Sequence, residues 1–318
     1  MGAMATIQHS ARNAASKPAI LHAGDSGQDL PAFLQAERAQ VEAGLAEAGA
    51  ILLRGFDVPD ADRFDAAVRA LPGESFAYSR SLSNAVRVNV TDRVFTANEA
   101  PPQTEIFLHH EMAQTPIYPS RLAFYCEVAP DRGGATPLCR SDLLLEALRD
   151  RLPGLIARFE EHGVRYTNVM PGEDDAGSGQ GRSWKATLGA GDRASAERRL
   201  RELGYDWEWQ EDGSLKATTP RLDAVRALPD GRGSFFNQLI AAYRGWSDTR
   251  NTPSRSIAFG DGSAIPHDAM MEAIALADDL TWDHEWQAGD VVLVDNYIVM
   301  HGRRPFEGKR RVLASLFA

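Results

Sequence analysis

Two candidate metal ligands lie two residues apart in the segment 107–112, which reads FLHHEM. Alternate side chains of a β-strand point to the same side, so His109 and Glu111 can offer an imidazole nitrogen and a carboxylate to one ion. His110 would then point the other way, and we expect it to be a neighbour rather than a ligand. A single His-x-Glu triplet also occurs by chance in solvated turns, so this segment needs a partner elsewhere in the chain.

His301 is the third candidate ligand, in the segment DNYIVMHGRR near the C-terminal end. Two histidines and one carboxylate on one face would leave about three positions open on an octahedral metal, the arrangement of non-haem iron(II) oxygenases. These positions would accommodate 2-oxoglutarate and O₂ as cosubstrates. A closed structural zinc site would instead show four ligands, usually with cysteine, and the sequence contains no such set.

An arginine and a threonine are candidates for binding the far carboxylate of 2-oxoglutarate. Arg311 begins the apolar segment RVLASL, and an arginine inside a barrel can bind a carboxylate through two parallel hydrogen bonds. Thr136, in the segment GGATPL, can add a hydroxyl donor. Because neighbouring side chains of a strand alternate, only one of Arg310 and Arg311 can face the interior, and we expect it to be Arg311.

Four further polar residues are hypotheses for substrate binding. Gln103 and Glu105 shortly precede the first two ligands, and Asn237 and Arg244 lie in the aromatic segments FFNQ and YRGW. Aromatic neighbours are equally typical of core packing. The sequence therefore leaves open whether Asn237 and Arg244 line a pocket or belong to the core.

Together, these motifs resemble the TauD/TfdA family of 2-oxoglutarate dioxygenases. The resemblance rests on His109-x-Glu111, the Gly-Gly-x-Thr motif ending at Thr136, His301 and Arg311, and it extends over nearly the whole chain from about Ala48 onward. The segments LHHEM, FYCEVAPDRGGATPL and HGRRPFEGKRRVLASL are most similar to the SyrP-like branch. Members of that branch hydroxylate amino acids, often during the assembly of nonribosomal peptides.

The resemblance implies an Fe(II) cofactor and an amino-acid-like substrate, free or presented by a peptidyl carrier protein. Taurine-type members usually have aspartate where this chain has Glu111, a change that is common in the SyrP-like branch. They also carry a second arginine four residues after the cosubstrate arginine, where this chain has Ser315, so a sulfonate substrate is not expected. Halogenases of this fold replace the carboxylate ligand by a small residue, so the retained Glu111 favours hydroxylation or another oxidation. Desaturation and cyclisation would use the same three ligands and stay open.

The secondary-structure pattern predicts how these residues are positioned. Helices are expected at 31–48, 59–71, 142–151 with Asp142 as cap, 194–203 and 267–278. Strands are expected at 50–56, 86–90, 121–128, 136–139, 290–295 and 311–317, and a hairpin across 207–216. Helices interrupt the strands without a regular β-α-β alternation. This pattern favours a β-sandwich or barrel decorated with helices. The family resemblance implies that the core is a double-stranded β-helix (jelly-roll), so the predicted fold is mainly β with flanking helices.

The organisation expected for the chain is a disordered N-terminal segment at 1–16 followed by one domain over 17–318. This domain would contain a mobile, acidic and glycine-rich loop around 171–182 and an insert around 190–220. The net charge of −10 argues against a nucleic-acid partner. The sequence has neither a long apolar run nor an apolar signal stretch, so no membrane association is expected. Its two cysteines, Cys126 and Cys139, suggest no disulfide framework, which fits a cytoplasmic protein.

Two other classes of protein could carry the same three ligands. A zinc hydrolase would use them around an activated water molecule, but that reaction gives no role to Thr136 and Arg311. A non-enzymatic jelly-roll protein that binds or senses a metal would not need vacant metal positions. Turnover of 2-oxoglutarate with iron separates the oxygenase from both alternatives.

Overall fold

The computed structural model describes residues 16–24, 27–76, 82, 87–175 and 181–318. Of the predicted disordered segment 1–16, residues 1–15 lie outside this description, as do residues 176–180 of the predicted mobile loop. The helices are α1 (Leu30–Ala36), α2 (Arg38–Ala48), α3 (Ala61–Ala70), α4 (Ser141–Arg151), α5 (Pro153–His162), α6 (Trp184–Leu188), α7 (Arg193–Glu202), α8 (Leu239–Gly245), α9 (Pro253–Ser256) and α10 (His267–Asp279). The strands are β1 (Ala19–His22), β2 (Ala50–Arg54), β3 (Phe95–Thr96), β4 (Ile106–His109), β5 (Arg121–Val128), β6 (Arg132–Gly133), β7 (Thr136–Arg140), β8 (Val164–Met170), β9 (Asp206–Trp209), β10 (Leu215–Thr218), β11 (Arg226–Ala227), β12 (Gly233–Ser234), β13 (Ile257–Phe259), β14 (Trp282–His284), β15 (Val291–Asp295), β16 (Val299–Arg303), β17 (Phe306–Glu307) and β18 (Arg311–Phe317).

Two sheets enclose the centre of the molecule. The first has the strand order β1-β2-β15-β5-β18-β3 and the second the order β14-β7-β16-β4. Except for the parallel pair β1–β2, neighbouring strands in both sheets are antiparallel. One apolar cluster takes side chains from both sheets, including Phe124 and Val292 from the first and Leu138 and Val299 from the second. This is the two-sheet arrangement of the predicted jelly-roll core.

The central strands of the first sheet are apolar on both faces. In β15, Val292 and Val294 point into the cluster between the sheets, whereas Val291 and Leu293 belong to a second cluster on the outer face. Helices α1, α2 and α3 cover that outer face. Both sides of the strand are thus removed from water, and the strand reads as a continuous apolar run rather than an alternating one.

The N-terminal helical region differs from the prediction of one helix over 31–48. It forms two helices, because the chain leaves the helical conformation at Glu37 (φ −104°, ψ 24°). Helix α2 then ends at Gly49, which has φ 74° and donates its N–H to Leu45. A Cβ at this position would lie 2.6 Å from Val299, so glycine allows both the left-handed turn and the close approach of α2 to β16.

A long insert separates strands β7 and β14 of the second sheet. It carries helices α4 to α10 and a third sheet with the order β13-β8-β10-β9. The helix expected at 194–203 and the hairpin expected at 207–216 are present as α7 and as the pair β9–β10. Together with α6 they enclose a separate apolar cluster that contains Trp184, Leu200 and Leu215.

Two predicted local features were wrong. The described part of the strand expected at 86–90, residues 87–90, forms only an isolated bridge from Asn89 to Phe95, and Val88 is 57% exposed. The alternating apolar residues of this segment therefore have no core surface to pack against. Asp142 does not cap α4 but lies in its first turn, where its carboxylate binds Arg140 and also Arg232 at 2.7 Å.

Candidate metal centre

The three candidate ligands come together because β4 and β16 are neighbours. His109 and His301 are paired across these antiparallel strands, next to an irregularity between His301 and Arg303. Gly302 permits the close approach, since a Cβ there would lie 2.3 Å from the carbonyl oxygen of Ile106. The ligand atoms of His109, Glu111 and His301 all lie within 4.8 Å of one another, as the residue spacing predicted.

Glu111 reaches this position by a different route from the one expected. Strand β4 ends at His109, so Glu111 lies in the turn that follows rather than in the strand. Met112 has φ 59°, a left-handed conformation that is uncommon for residues other than glycine. The turn brings the Glu111 carboxylate to 3.5 Å from His301 Nε2.

The hydrogen bonds of the histidines separate the ligand candidates from their neighbour. His109 Nδ1 donates to the carbonyl of Phe107 at 2.8 Å, which leaves Nε2 unprotonated and available to a metal. His110 is buried, donates from Nδ1 to the carbonyl of Asn296, and packs on Phe236. It therefore lies outside the centre, as expected.

The electrostatics of the centre suit a cation. Burial alone would raise the pKa of Glu111, but the Arg87 charge and the hydrogen bond with His301 outweigh it and hold this pKa well below its usual range. Burial, together with the charge of His301, lowers the pKa of His109 to about 4. At neutral pH the centre thus offers a carboxylate and an unprotonated imidazole, the forms that bind metals. Two imidazoles and one carboxylate in a buried cluster fit a metal with vacant positions.

Two residues that the sequence analysis missed hold Glu111 in place. Arg87 Nη2 lies 2.9 Å from each carboxylate oxygen, and the side chains of this pair are only 6% and 3% exposed. Asn296 accepts from the backbone N–H of Glu111 at 2.8 Å and donates to its carbonyl at 3.0 Å. A lone arginine between valines, in VRVNV, and an asparagine in the segment before His301 were the available signals.

The expectation that Arg311 faces the interior is wrong. Its side chain is 49% exposed and pairs with Glu127. Val312, Ala314 and Leu316 belong to the cluster between the sheets, so the period of two places position 310 on the inner side and position 311 on the outer side. Of the two neighbouring arginines, Arg310 and not Arg311 therefore faces the interior.

Arg310 occupies the position expected of Arg311. Its Nε donates to the carbonyl of Gly134 at 3.0 Å, and its Nη2 lies 3.4 Å from Thr136 Oγ1. Burial, with a contribution from the charge of Arg303, lowers the pKa of Arg310 to about 10. No carboxylate of the described residues forms an ion pair with it. Arg310 and the buried Thr136 therefore fit a bound anion.

None of the four substrate-binding candidates presents a free side chain to the centre. Gln103 is exposed, and Glu105 pairs with Arg304 at 2.6 Å. Both amide atoms of Asn237 bind backbone groups, the N–H of Leu239 and the carbonyl of Ala224. Arg244 pairs with Asp278 at 3.1 Å. All four are therefore solvated or engaged within the protein.

A jelly-roll that brings two histidines and a carboxylate together is typical of metal-dependent proteins. Comparisons with known proteins identify the family of this chain. Residues 14–316 match the family model described as "Taurine catabolism dioxygenase TauD, TfdA family". The chain belongs to this family. It is a 2-oxoglutarate-dependent dioxygenase that uses Fe(II), as the resemblance implied.

Individual relatives agree with this assignment. A clavaminate synthase-like protein of Arabidopsis thaliana is 42% identical over 291 residues, which cover 90% of this chain and 88% of that protein. The dapdiamide synthesis protein DdaC of Enterobacter agglomerans is 27% identical over 287 residues, covering 86% and 83%. The crystal structure of PvcB from Pseudomonas aeruginosa has a TM-score of 0.53 at 15% identity, covering 95% of this chain and 87% of that one. This structural likeness confirms the predicted fold.

The described helices were also compared with the requirements for crossing a membrane. Among residues 16–24, 27–76, 82, 87–175 and 181–318, no helix is both long and apolar enough to do so.

Proposed function

We propose that this dioxygenase hydroxylates an unactivated C–H bond of an amino acid or a closely related small molecule. The observation that carries the proposal is the cluster of His109, Glu111 and His301. Beside Thr136 lies Arg310, a cation that pairs with no carboxylate of the described residues. A zinc hydrolase would use the cluster but would give no role to that cation. A metal-binding sensor would need neither the cation nor open metal positions.

His109, Glu111 and His301 would hold the iron. When bound, iron with 2-oxoglutarate and O₂ supplies the oxidising power, through oxidative decarboxylation of the cosubstrate to succinate and CO₂. The protein contributes orientation: the carbonyl of Phe107 fixes the ring of His109, and Arg87 holds both oxygens of Glu111. Such outer contacts set the direction and basicity of metal ligands.

Arg310, rather than Arg311, would bind the far carboxylate of 2-oxoglutarate, with Thr136 as a second donor. Thr136 Oγ1 accepts from Trp286 Nε1 at 3.0 Å and lies 3.4 Å from Arg310 Nη2. A hydroxyl has two lone pairs and one proton. With both lone pairs facing N–H donors, the proton of Thr136 is directed to an incoming acceptor such as a carboxylate.

The corrected assignment leaves the argument against a sulfonate substrate intact. Counting four residues on from Arg310 gives Ala314 instead of Ser315. Ala314 faces the cluster between the sheets, so the second arginine of taurine-type members is missing at the inward position as well. This supports a substrate other than a sulfonate.

An amino-acid-like substrate in specialised metabolism is supported by the relatives. DdaC is named for dapdiamide synthesis, and PvcB is described as an Fe, alpha-ketoglutarate dependent oxygenase from an isonitrile synthetic pathway. The SyrP-like segments also favour an amino acid, free or presented by a peptidyl carrier protein. We propose such a small-molecule substrate, with carrier presentation as the second form to test.

Hydroxylation is favoured over halogenation because the carboxylate ligand is retained. Glu111 is clamped by Arg87 and Asn296, so the position at which halogenases of this fold admit chloride is filled. Wild-type enzyme that turns over a substrate in the presence of chloride should yield only oxygenated product by mass spectrometry. A chlorinated product would contradict the hydroxylase assignment.

The decisive experiment has two stages. First, Fe(II) and 2-oxoglutarate are added without oxygen, and formation of their visible-absorbing chelate is followed. Second, oxygen is admitted with amino acids offered free or loaded on a peptidyl carrier protein, and succinate and hydroxylated product are measured. Zinc in place of iron is the control. Turnover with zinc, or a chelate that no amino-acid substrate stimulates to release succinate, would contradict the proposal.

A further inference from the structure

A cavity lies between the turn that carries Glu111 and the insert. Its empty volume is about 490 Å³, including space open to solvent. Gln114 and Thr115 line it from the turn, and the third sheet and helices α6 and α7 contribute the remaining wall, including Asn168 on β8 and Thr187 on α6. Because much of this volume is open to solvent, the enclosed part has room for a small terminal group rather than for a whole amino acid.

Three side-chain oxygens in this wall are buried without a hydrogen-bond partner. They are Gln114 Oε1, Asn168 Oδ1 and Thr187 Oγ1. Buried polar atoms are rarely left unsatisfied, because each then loses its hydrogen bond to water without a replacement. Three such atoms around one cavity are available to form hydrogen bonds with a ligand that enters it.

The charge of the wall restricts the kind of ligand. Of the described residues that line the cavity, none is charged, and the rest of the surface is aromatic or aliphatic, including Tyr166, Tyr205 and Trp246. A ligand ammonium, guanidinium or carboxylate group would be buried there without a counter-charge, which is strongly unfavourable. An uncharged polar group avoids this penalty.

The cavity is linked to the metal centre through both sequence and hydrogen bonds. Gln114 follows Glu111 by three residues, so their Cα atoms are at most about 11 Å apart. Tyr166 Oη accepts from the backbone N–H of Gln238 at 3.0 Å, and the Gln238 side chain donates to the carbonyl of His110 at 2.9 Å. Gln114 and Tyr166 therefore connect the wall of the cavity to the segment that carries His109 and Glu111.

We propose that this cavity binds an uncharged carboxamide group of the substrate. A carboxamide has two N–H donors and one carbonyl acceptor, which match in number the oxygens of Gln114 and Asn168 and the hydroxyl of Thr187. The inference rests on the proposed function and narrows it: the substrate is an amino acid whose side chain ends in a neutral amide or urea rather than in a charged group.

Matched pairs of amino acids test the selection for neutrality. L-glutamine is compared with L-glutamate, L-asparagine with L-aspartate, and L-citrulline with L-arginine, each titrated without oxygen into enzyme loaded with Fe(II) and 2-oxoglutarate. Calorimetry should show that the neutral member of at least one pair binds tenfold or more tightly than its charged partner. Tighter binding of the charged members, or no binding by any of the six, would overturn the proposal.

Variants locate the effect in this cavity. Asn168→Leu and Thr187→Val each remove a hydrogen-bonding group at nearly constant shape, and each should weaken the favoured ligand about tenfold. Asn168→Asp should shift the preference from L-citrulline towards L-arginine. Lys216→Leu, an exposed change on the neighbouring strand β10, is the control and should leave binding unchanged. If neither cavity variant that folds alters binding, the assignment is wrong.

The same titrations separate this inference from the proposed function. Formation of the Fe(II)–2-oxoglutarate chelate depends on the metal centre and Arg310 but not on the cavity. If the wild-type enzyme formed no such chelate, the proposed function would be contradicted. A normal chelate with no preference for neutral side chains would contradict only the cavity assignment.

Discussion

The fold treats two charged side chains of the site differently, the buried Glu111 and the partly buried Arg310. Glu111 has a full counter-charge, because Arg87 lies 2.9 Å from both of its oxygens. Arg310 contacts a carbonyl, a hydroxyl and the ring of Phe306, and no carboxylate of the described residues pairs with it. A buried charge without a partner is costly unless a ligand supplies one. Under the proposed function, the Glu111 carboxylate is already held in place before a metal binds, whereas Arg310 is left to pair with an anionic cosubstrate.

The largest effect is expected from removing a metal ligand. Replacing His109, Glu111 or His301 by alanine should abolish both iron binding and succinate formation, because two ligands cannot retain the metal against water. His110→Asn is the control, since it keeps a donor for the carbonyl of Asn296. Bound iron is measured after dialysis. Loss of iron from His110→Asn alone, with the other three variants loaded, would contradict the ligand assignment.

The next effect distinguishes Arg310 from Arg311. Arg310→Ala should raise the KM for 2-oxoglutarate by about thirtyfold or more, since removing one partner of a buried charge pair costs about 2–5 kcal/mol. Arg311→Ala breaks only a half-exposed pair with Glu127, worth about 0–1 kcal/mol of stability, and should leave the KM unchanged. Initial rates of succinate release measure both, and a large effect at Arg311 alone would reverse the assignment.

The pair Arg310 and Arg311 also shows what could be predicted from the sequence. The grouping of His109, Glu111 and His301 was predicted from their residue types and from the motifs that carry the family resemblance. The route was not, because Glu111 lies in the turn after β4 rather than in the strand that the two-residue spacing assumed. The side on which Arg310 lies could have been predicted as well, by counting back from the apolar residues Val312 and Ala314. The prediction instead began the inward-facing positions of the strand at Arg311.

Other parts of the site depend on contacts that no local pattern encodes. Asn296 holds the backbone of Glu111 across 185 positions of sequence. Gln114 lines the cavity together with Asn168 and Thr187, which lie in the insert. Of the third sheet in this insert, only the hairpin β9–β10 was predicted from the sequence. The mainly β class can be predicted from the order of strands and helices along the chain. The pairing of distant segments can be read only from the structure.

Removing Arg87 tests the carboxylate side of the comparison. Arg87→Leu should weaken iron binding on the order of 10- to 100-fold, the usual result of losing a group that orients a ligand. Because Arg87 lowers the pKa of Glu111, its loss raises that pKa, and protons should displace iron at a higher pH than in the wild type. Arg87→Lys retains the charge and should recover part of the affinity. Unchanged or tighter iron binding in Arg87→Leu would show that the pair does not position Glu111.

A smaller effect is expected in the pH dependence of the metal-free protein. Burial lowers the pKa of His109 to about 4 and that of His110 to about 3. As the pH falls below about 6.5, the unfolded chain therefore takes up protons that the folded protein does not. Stability should decline from about pH 6.5 towards pH 4, by up to about 1.4 kcal/mol per pH unit for each histidine.

Denaturant unfolding at several pH values measures this decline. Between about pH 6.5 and pH 5, above the range in which buried carboxylates such as Glu111 add to the decline, His110→Asn should roughly halve the slope because it removes one of the two histidines. Arg311→Ala, which changes an exposed side chain, should not alter the slope. A stability that is constant between pH 6.5 and pH 4 would mean that both imidazoles protonate as freely in the folded state as in the unfolded chain.

The smallest effect concerns Thr136, the second donor on the cation side. Thr136→Val keeps the shape but removes the hydroxyl, and should raise the KM for 2-oxoglutarate about fivefold, corresponding to about 1 kcal/mol for one hydrogen bond. Trp286→Phe removes the N–H that orients this hydroxyl at 3.0 Å and should give a smaller increase. If the two groups act through one hydrogen bond, the double variant should be no worse than Thr136→Val alone. Fully additive effects would show that Trp286 acts on the cosubstrate independently, and the orienting role assigned to its indole N–H would then be wrong.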